Sequence, residues 1–404
     1  MQAITKLPKI SHLIFLFSIS ITALSIIPAL FPALYSSFYR TSPIPSVPQF
    51  NLEINSFEPG IFFFPVIVTG VLVLAVGIII KLRSIKLWSA DLPKKYSIIS
   101  MIVILSLFTI LSYEDIISED LHEDWKIVKN TLENWPPENI VYGLHVRFFL
   151  LESSFLIFGN YRIIPFIAAA ALLVTTYLFT NKITNNKLAG VIASSIVLQS
   201  NLFLSFSTTP SYTVFWILFY FISLYLIVHK TWFLSPVTFV MAIFSKTLAA
   251  VFFPISIFFI LNSKISKKRK IILLIIMVII VSIGMIHFGK SISNEWEWGG
   301  FWNGFVSLSY QMRYDGLIMI FLIPTITGLY FISKNNKYAN SVSIMISGIL
   351  ISNPLLLAMT DYTSQPYRLI PLVVFFAIGV GMILTNQKDK EKTVKEVSKK
   401  SRRQ

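Results

Sequence analysis

Apolar stretches separated by short polar breaks recur along the whole chain. Twelve are candidate membrane spans: roughly 11 to 34, 61 to 80, 97 to 113, 162 to 180, 188 to 205, 212 to 228, 232 to 246, 248 to 262, 271 to 288, 317 to 333, 340 to 359 and 369 to 384. A spanning helix needs about 20 mostly apolar residues, so the shorter stretches have loose boundaries. Between spans three and four the period changes. Leu121, Trp125, Val128, Leu132 and Trp135 follow each other at intervals of 4, 3, 4 and 3, the stripe of an amphipathic helix at the membrane surface, ended by "NWPPEN". On that helix Asp120 and Asp124 share a face one turn apart. Residues 142 to 159 read as a second surface helix, and 289 to 316 as a second long loop on the same side.

Composition agrees with the pattern. Of 404 residues, 55% are hydrophobic and 13% charged, with mean hydropathy +0.71, far more apolar than a soluble domain. The fold class is therefore an all-α polytopic membrane protein. The absence of cysteine excludes disulfides and cysteine-held zinc. The first apolar stretch follows Lys6 and Lys9 and is long enough to be a retained span rather than a cleaved signal.

The net charge of +15 reflects orientation rather than nucleic-acid binding. With the N-terminus inside, most of the 34 Lys and Arg fall on cytoplasmic segments, notably "KLRSIK", "KKRK" and the tail. Among the acids only Asp91, Asp389, Glu391 and Glu396 lie inside. Both termini are thus expected in the cytoplasm and the acidic loop outside, with basic segments attracted to anionic lipid. Residues 1–95 form an N-terminal pair of helices around a proline-rich outer loop, 96–385 the core, and 386–404 a basic tail, disordered or lying on the membrane surface.

Chemistry-bearing residues gather in the outer segments. In "SEDLHEDW", Asp120, Glu123 and Asp124 are either a solvated helix face or contain a general base whose pKa is raised by partial desolvation and a neighbouring like charge. Arg368, in "QPYRLIPL", either snorkels to the interface or clamps a lipid phosphate. Lys246, between two short spans, poses the same choice. His145, Arg147 and Glu152 form a local polar cluster or part of a substrate groove, which could extend to Tyr212, Glu297, Arg313, Asp315 and Tyr367. His122 and His145 near acids are a weak metal signal, although the acids offer oxygen ligands to a divalent ion. No Walker A loop, nucleophile elbow or HExxH is present.

The ordered segments "EDLHEDWKIVKNTLENW", "LHVRFFLLESSFLIFG", "AIFSKTLAAVFFP" and "QPYRLIPL" resemble the GT-C glycosyltransferases, in particular the protein O-mannosyltransferase and lipid A aminoarabinose transferase type. The resemblance covers residues 96–385. It implies a GT-C-like bundle of about 12 transmembrane helices with amphipathic interface helices in the first long outer loop, and an enzyme taking sugar from a polyprenyl-phosphate donor on the extracytoplasmic face. Acceptors would be protein, glycan or lipid. It further implies Asp120 as the acceptor-activating residue, with Asp124 and then Glu123 as substitutes, and Arg368 and Lys246 on the donor phosphate. As a loop carboxylate, Asp120 should be replaceable by Asn without loss of folding. Two departures stand out: the acidic loop follows the third span rather than the first, and "STTPSY" lacks the charged residue often found in that turn. A lipid-sugar flippase or a catalytically inactive subunit is the competing reading, but a transporter would place its ionisable groups near mid-membrane, whereas these acids sit at the rim.

Overall fold

A computed structural model describes residues 9–31, 59–83, 91–120, 122, 124–135, 145–229, 231–288, 296–359 and 365–385. The tail 386–404, most of the proline-rich loop and Glu123 lie outside these residues. Among the described residues there is no strand, as expected where backbone groups in lipid must be satisfied within a segment. Sixteen α-helices follow in order: α1 (Lys9–Leu30), α2 (Phe63–Arg83), α3 (Lys94–Ile117), α4 (Asp124–Asn134), α5 (Val146–Phe158), α6 (Ile163–Thr184), α7 (Lys187–Gln199) and α8 (Asn201–Phe206), then α9 (Phe215–Val228), α10 (Ser235–Ser245), α11 (Phe253–Asn262), α12 (Lys267–Phe288), α13 (Trp298–Met312), α14 (Gly316–Ile332), α15 (Tyr338–Met359) and α16 (Ile370–Leu384).

Each of the twelve expected spans carries helix, although among the described residues fewer qualify as single-helix spans by length and apolarity. Among the described residues five helices are long and apolar enough to cross a membrane: α1, α3, α6, α15 and the segment Pro366–Leu384 that contains α16. A sixth is possible if α13 and α14, bent by 115° at their junction, act as one broken span. The difference has local causes. Stretch 188 to 205 breaks at Ser200, whose Oγ accepts from Phe203 N at 3.2 Å and starts α8. Lys246, with extended backbone, separates α10 from the 3-10 turn Thr247–Phe252. The resulting helices of 10 to 14 residues are about 15 to 21 Å long, too short to cross alone. The second long loop contains α13, so much of 289 to 316 is helical rather than loop.

The amphipathic stretch is α4, burying Trp125, Val128 and Leu132. It starts at Asp124, so Asp120 precedes it and does not share its face. The expected second surface helix is α5, ended by Gly159 in the left-handed conformation at φ 66°.

Three helices run between the two ends of the bundle in the same sense. The N-terminus of α6 meets the C-terminus of α3, where Arg162 Nη1 donates to Asp115 O at 2.6 Å and Asn160 Nδ2 to Ile116 O at 2.9 Å, satisfying two carbonyls of the last helical turn. Its far half returns to the start of α3, where Tyr177 donates to Ser97 Oγ at 3.1 Å. At 22 residues α6 spans about 33 Å, close to a bilayer core. Alongside it, α9 and α16 also start at the end marked by Asp120 and finish at the other. Phe221 and Phe375 pack between them at 4.7 Å. Helix α1 packs on α13, α14 and α15, with Ser18 Oγ against Ser347 Oγ at 3.1 Å, so it is integrated into the bundle.

Candidate functional site

The C-terminal end of α3, the start of α4, the turn before α9, the Lys246 break and the 3-10 turn Pro366–Leu369 converge at one end of the bundle. Asp120 anchors the cluster. Its side chain is 1% exposed, and both oxygens are occupied. Oδ1 receives His122 Nδ1 at 2.6 Å and His122 N at 3.1 Å, with Arg162 Nη2 3.9 Å away. Oδ2 receives Ser211 Oγ at 2.8 Å and Ser211 N at 3.3 Å.

Burial pushes the Asp120 pKa up, but the hydrogen bonds from the His122 side chain and backbone and from Ser211 outweigh it, so the net shift is downward. The expected upward shift is therefore reversed: this is a firmly ionised carboxylate. Enclosed and fully bonded, Asp120 is placed to orient a neighbour, and His122 is the neighbour it holds. The His122 side chain is 37% exposed and lies edge-on to Tyr212 with ring centres 5.1 Å apart.

Aromatic rings form the site's floor. Tyr212 stacks on Tyr367 at 4.5 Å, and Phe206 touches both. Burial first, then the half-buried Asp124 and the charge of Asp120, push the Tyr212 pKa up.

Two cations lie on Tyr367, and a third, Arg147, holds the turn before α9. Lys246 Nζ donates to the Tyr367 hydroxyl and lies 4.1 Å from that ring's centre. Arg368 Nε donates to the same hydroxyl at 3.3 Å. Arg147 Nη2 reaches Ser211 O at 2.5 Å and Pro210 O at 3.1 Å, while its buried Nε has no hydrogen-bond partner among the described residues. Burial lowers the Arg147 pKa to about 10, partly opposed by Asp124. Burial also takes Lys246 well below its ordinary value, and the charges of Arg368 and Arg147 lower it further. Among the described residues the charges of Arg147, Lys246 and Arg368 gather beside Asp124, a concentration of positive charge that suits a phosphate.

The sequence-predicted residues thus divide. Asp120, Asp124, Arg147, Tyr212, Lys246, Tyr367 and Arg368 come together; Glu123 is outside the described residues. Rather than joining a local cluster with His145 and Glu152, Arg147 turns to the turn before α9. His145 packs by Trp135 and Phe148, with ring centres 5.2 and 5.7 Å away. Glu297 and Arg313 flank opposite ends of α13, about 22 Å apart along its 15 residues. Asp315 is 2% exposed and caps α14 through Ile318 N at 3.3 Å while accepting from Ser200 Oγ. Sequence reasoning missed Ser211, Phe206, Arg162 and the pairing of His122 with Asp120. The two-residue spacing in "DLH" was the available signal for the last.

Among the described residues no group of three His, Asp or Glu side chains is arranged to hold a metal. No family model, curated protein or solved structure matches this chain.

Proposed function

We propose that this protein is a membrane glycosyltransferase that moves a sugar from a polyprenyl-phosphate donor to an acceptor hydroxyl at the extracytoplasmic face. The observation that carries the reading is the meeting, at one bundle end, of a carboxylate-held imidazole with three cations and an aromatic floor. Sidedness is supported by charge: the opposite end carries Lys264, Lys267, Lys268, Arg269 and Lys337, the pattern of a cytoplasmic face.

In this mechanism the donor phosphate lies against Lys246, Arg368 and Arg147, and the sugar stacks near Tyr212 and Tyr367. The acceptor oxygen attacks the anomeric carbon as the carbon–oxygen bond to phosphate breaks, inverting that centre. The leaving phosphate keeps the bonding electron pair, and the cations stabilise its growing charge. The acceptor proton passes to His122 Nε2. Asp120, bonded to Nδ1, fixes the ring and stabilises the imidazolium that forms, the role a buried carboxylate plays in a Ser-His-Asp triad. This assigns Asp120 as a positioning residue. General-base help of this kind is worth about 100- to 10,000-fold.

One observation favours a flippase: Asp315 is buried beside a 115° helix break, as ionisable groups in transporters often are. Both its oxygens, however, are used in capping and in the bond from Ser200. The test is steady-state transfer with purified protein in vesicles. His122→Gln should lower kcat by at least about 100-fold with little change in donor KM. Arg368→Ala should mainly raise donor KM. Full turnover in His122→Gln would remove the imidazole from the reaction, and donor dependence unchanged in Arg368→Ala would remove that guanidinium from the phosphate site.

A further inference from the structure

At the end of the bundle opposite the Asp120 cluster lies a cavity of about 950 Å³, where α6, α9 and α16 finish. Lys182, Lys264, Arg269 and Lys337 line it together with His229 and Trp232, and no carboxylate is among the lining residues. The α12 and α15 N-termini also meet there: Ser266 and Lys337, the residues immediately before these two helices, are in the lining. Their helix dipoles add to the positive potential.

Among the described residues no carboxylate pairs with the lining charge. The ion pairs among the described residues involve Lys187, Lys129, His122 and Arg162, none of which lines the cavity. Burial, then the charges of Lys270 and Lys264, hold the Lys337 pKa below its ordinary value. Arg269 rests over Trp232 with its guanidinium carbon 5.7 Å from the ring centre, leaving the edge donors of that fork for another group.

We propose that this cavity binds a phosphate-bearing anion, held by Lys182, Lys264, Arg269 and Lys337. The shared chemistry is the phosphate; it is carried either by a lipid headgroup or by a soluble anion. A lipid tail would have a path, because Phe233 and Leu234 are exposed beside Trp232 and α12 exposes Ile271, Ile272, Ile275 and Ile279 starting from the cavity's edge. The site is separate from the proposed transferase centre by the length of α6, and its occupancy does not depend on that activity.

The test uses the full chain in phosphatidylcholine nanodiscs and follows thermal unfolding while either the phosphatidylglycerol fraction or dissolved pyrophosphate is raised. Ligand that binds only the folded state must raise the midpoint saturably. In Lys264→Gln/Arg269→Gln/Lys337→Gln, half-saturation should need at least about tenfold more of the effective anion. Without anion this variant should unfold at or above the wild-type temperature, since its like charges no longer repel. Lys264→Arg/Lys337→Arg, which keeps the charge, should respond as wild type and guards against a folding artefact. A response to phosphatidylglycerol alone identifies a lipid headgroup, and a response to pyrophosphate identifies a soluble phosphate. No response to either overturns the proposal. An equal response in the triple variant, or an equal loss in Lys94→Gln/Lys95→Gln on the same face outside the lining, would show diffuse surface attraction and overturn it too.

Discussion

Asp120 illustrates how a residue's chemistry depends on what surrounds it. Read from the sequence, it is a loop carboxylate whose loss spares the fold; enclosed by His122, Ser211 and Arg162, it also supports the local structure. Asp120→Asn should therefore cost about 1–3 kcal/mol, the usual loss when a buried charge-assisted hydrogen bond is removed, and thermal unfolding of the purified variant measures it. Its folded pKa lies below the ordinary 3.8, so its stabilising contribution is complete above that value and is lost as pH falls through the folded pKa. The acid unfolding curves of wild type and Asp120→Asn should converge at the acid end; a gap that widens there would reverse the assignment. Lys246 has the same sign of linkage for a different reason, burial that disfavours its charged form. Its folded pKa is below the unfolded 10.5, so between the two the unfolded chain binds more protons and stability rises with pH. Donor kcat/KM should fall over the rise through the folded pKa, as the ammonium is lost. Lys246→Arg, whose guanidinium stays charged, should flatten that alkaline limb.

At the scale of elements, hydrophobic period was legible and the breaks were not. The 4-3-4-3 stripe located α4, and apolarity located helix in every expected span. The division of those stretches depends on single polar residues inside them, Ser200 and Lys246, whose roles follow from partners far away in sequence: Ser200 donates to Asp315, and Lys246 to Tyr367. The same holds for the site. Arg368, Lys246 and Asp120 were legible as charges in improbable places, but Ser211 and Phe206 are ordinary residues until the turn before α9 folds against α4. Packing between α13 and α15 rests on small residues. A Cβ on Gly304 would meet Pro354 Cα at 2.4 Å, and one on Gly300 would meet Leu357 O at 2.4 Å, backbone atoms that cannot move aside cheaply. These two glycines, four apart, form a GxxxG contact. Gly304→Ala should destabilise by about 1–3 kcal/mol through overpacking, whereas Gly299→Ala, with open space at its Cβ, should be close to neutral in the same denaturation series.

For the whole molecule, the parallel course of α6, α9 and α16 separates two ends of different character, one with ionised and aromatic groups interlocked and the other a cavity lined by basic residues. The chain lacks cysteine, so single introduced thiols report sidedness without background. Lys129→Cys on α4 should react with an impermeant maleimide added to intact cells, and Lys334→Cys only after permeabilisation. The reverse pattern would invert the topology and with it the face on which the proposed reaction occurs. The central claim is that the Asp120 end consumes a lipid-phosphate sugar. Its most direct test is release of free polyprenyl phosphate from a panel of such sugars in acceptor-containing vesicles, comparing wild type with folded His122→Gln and Asp120→Asn. The account predicts release by wild type from at least one donor and at least about 100-fold slower release by both variants. Equal release by all three, or none from any donor by a folded wild type, would contradict it.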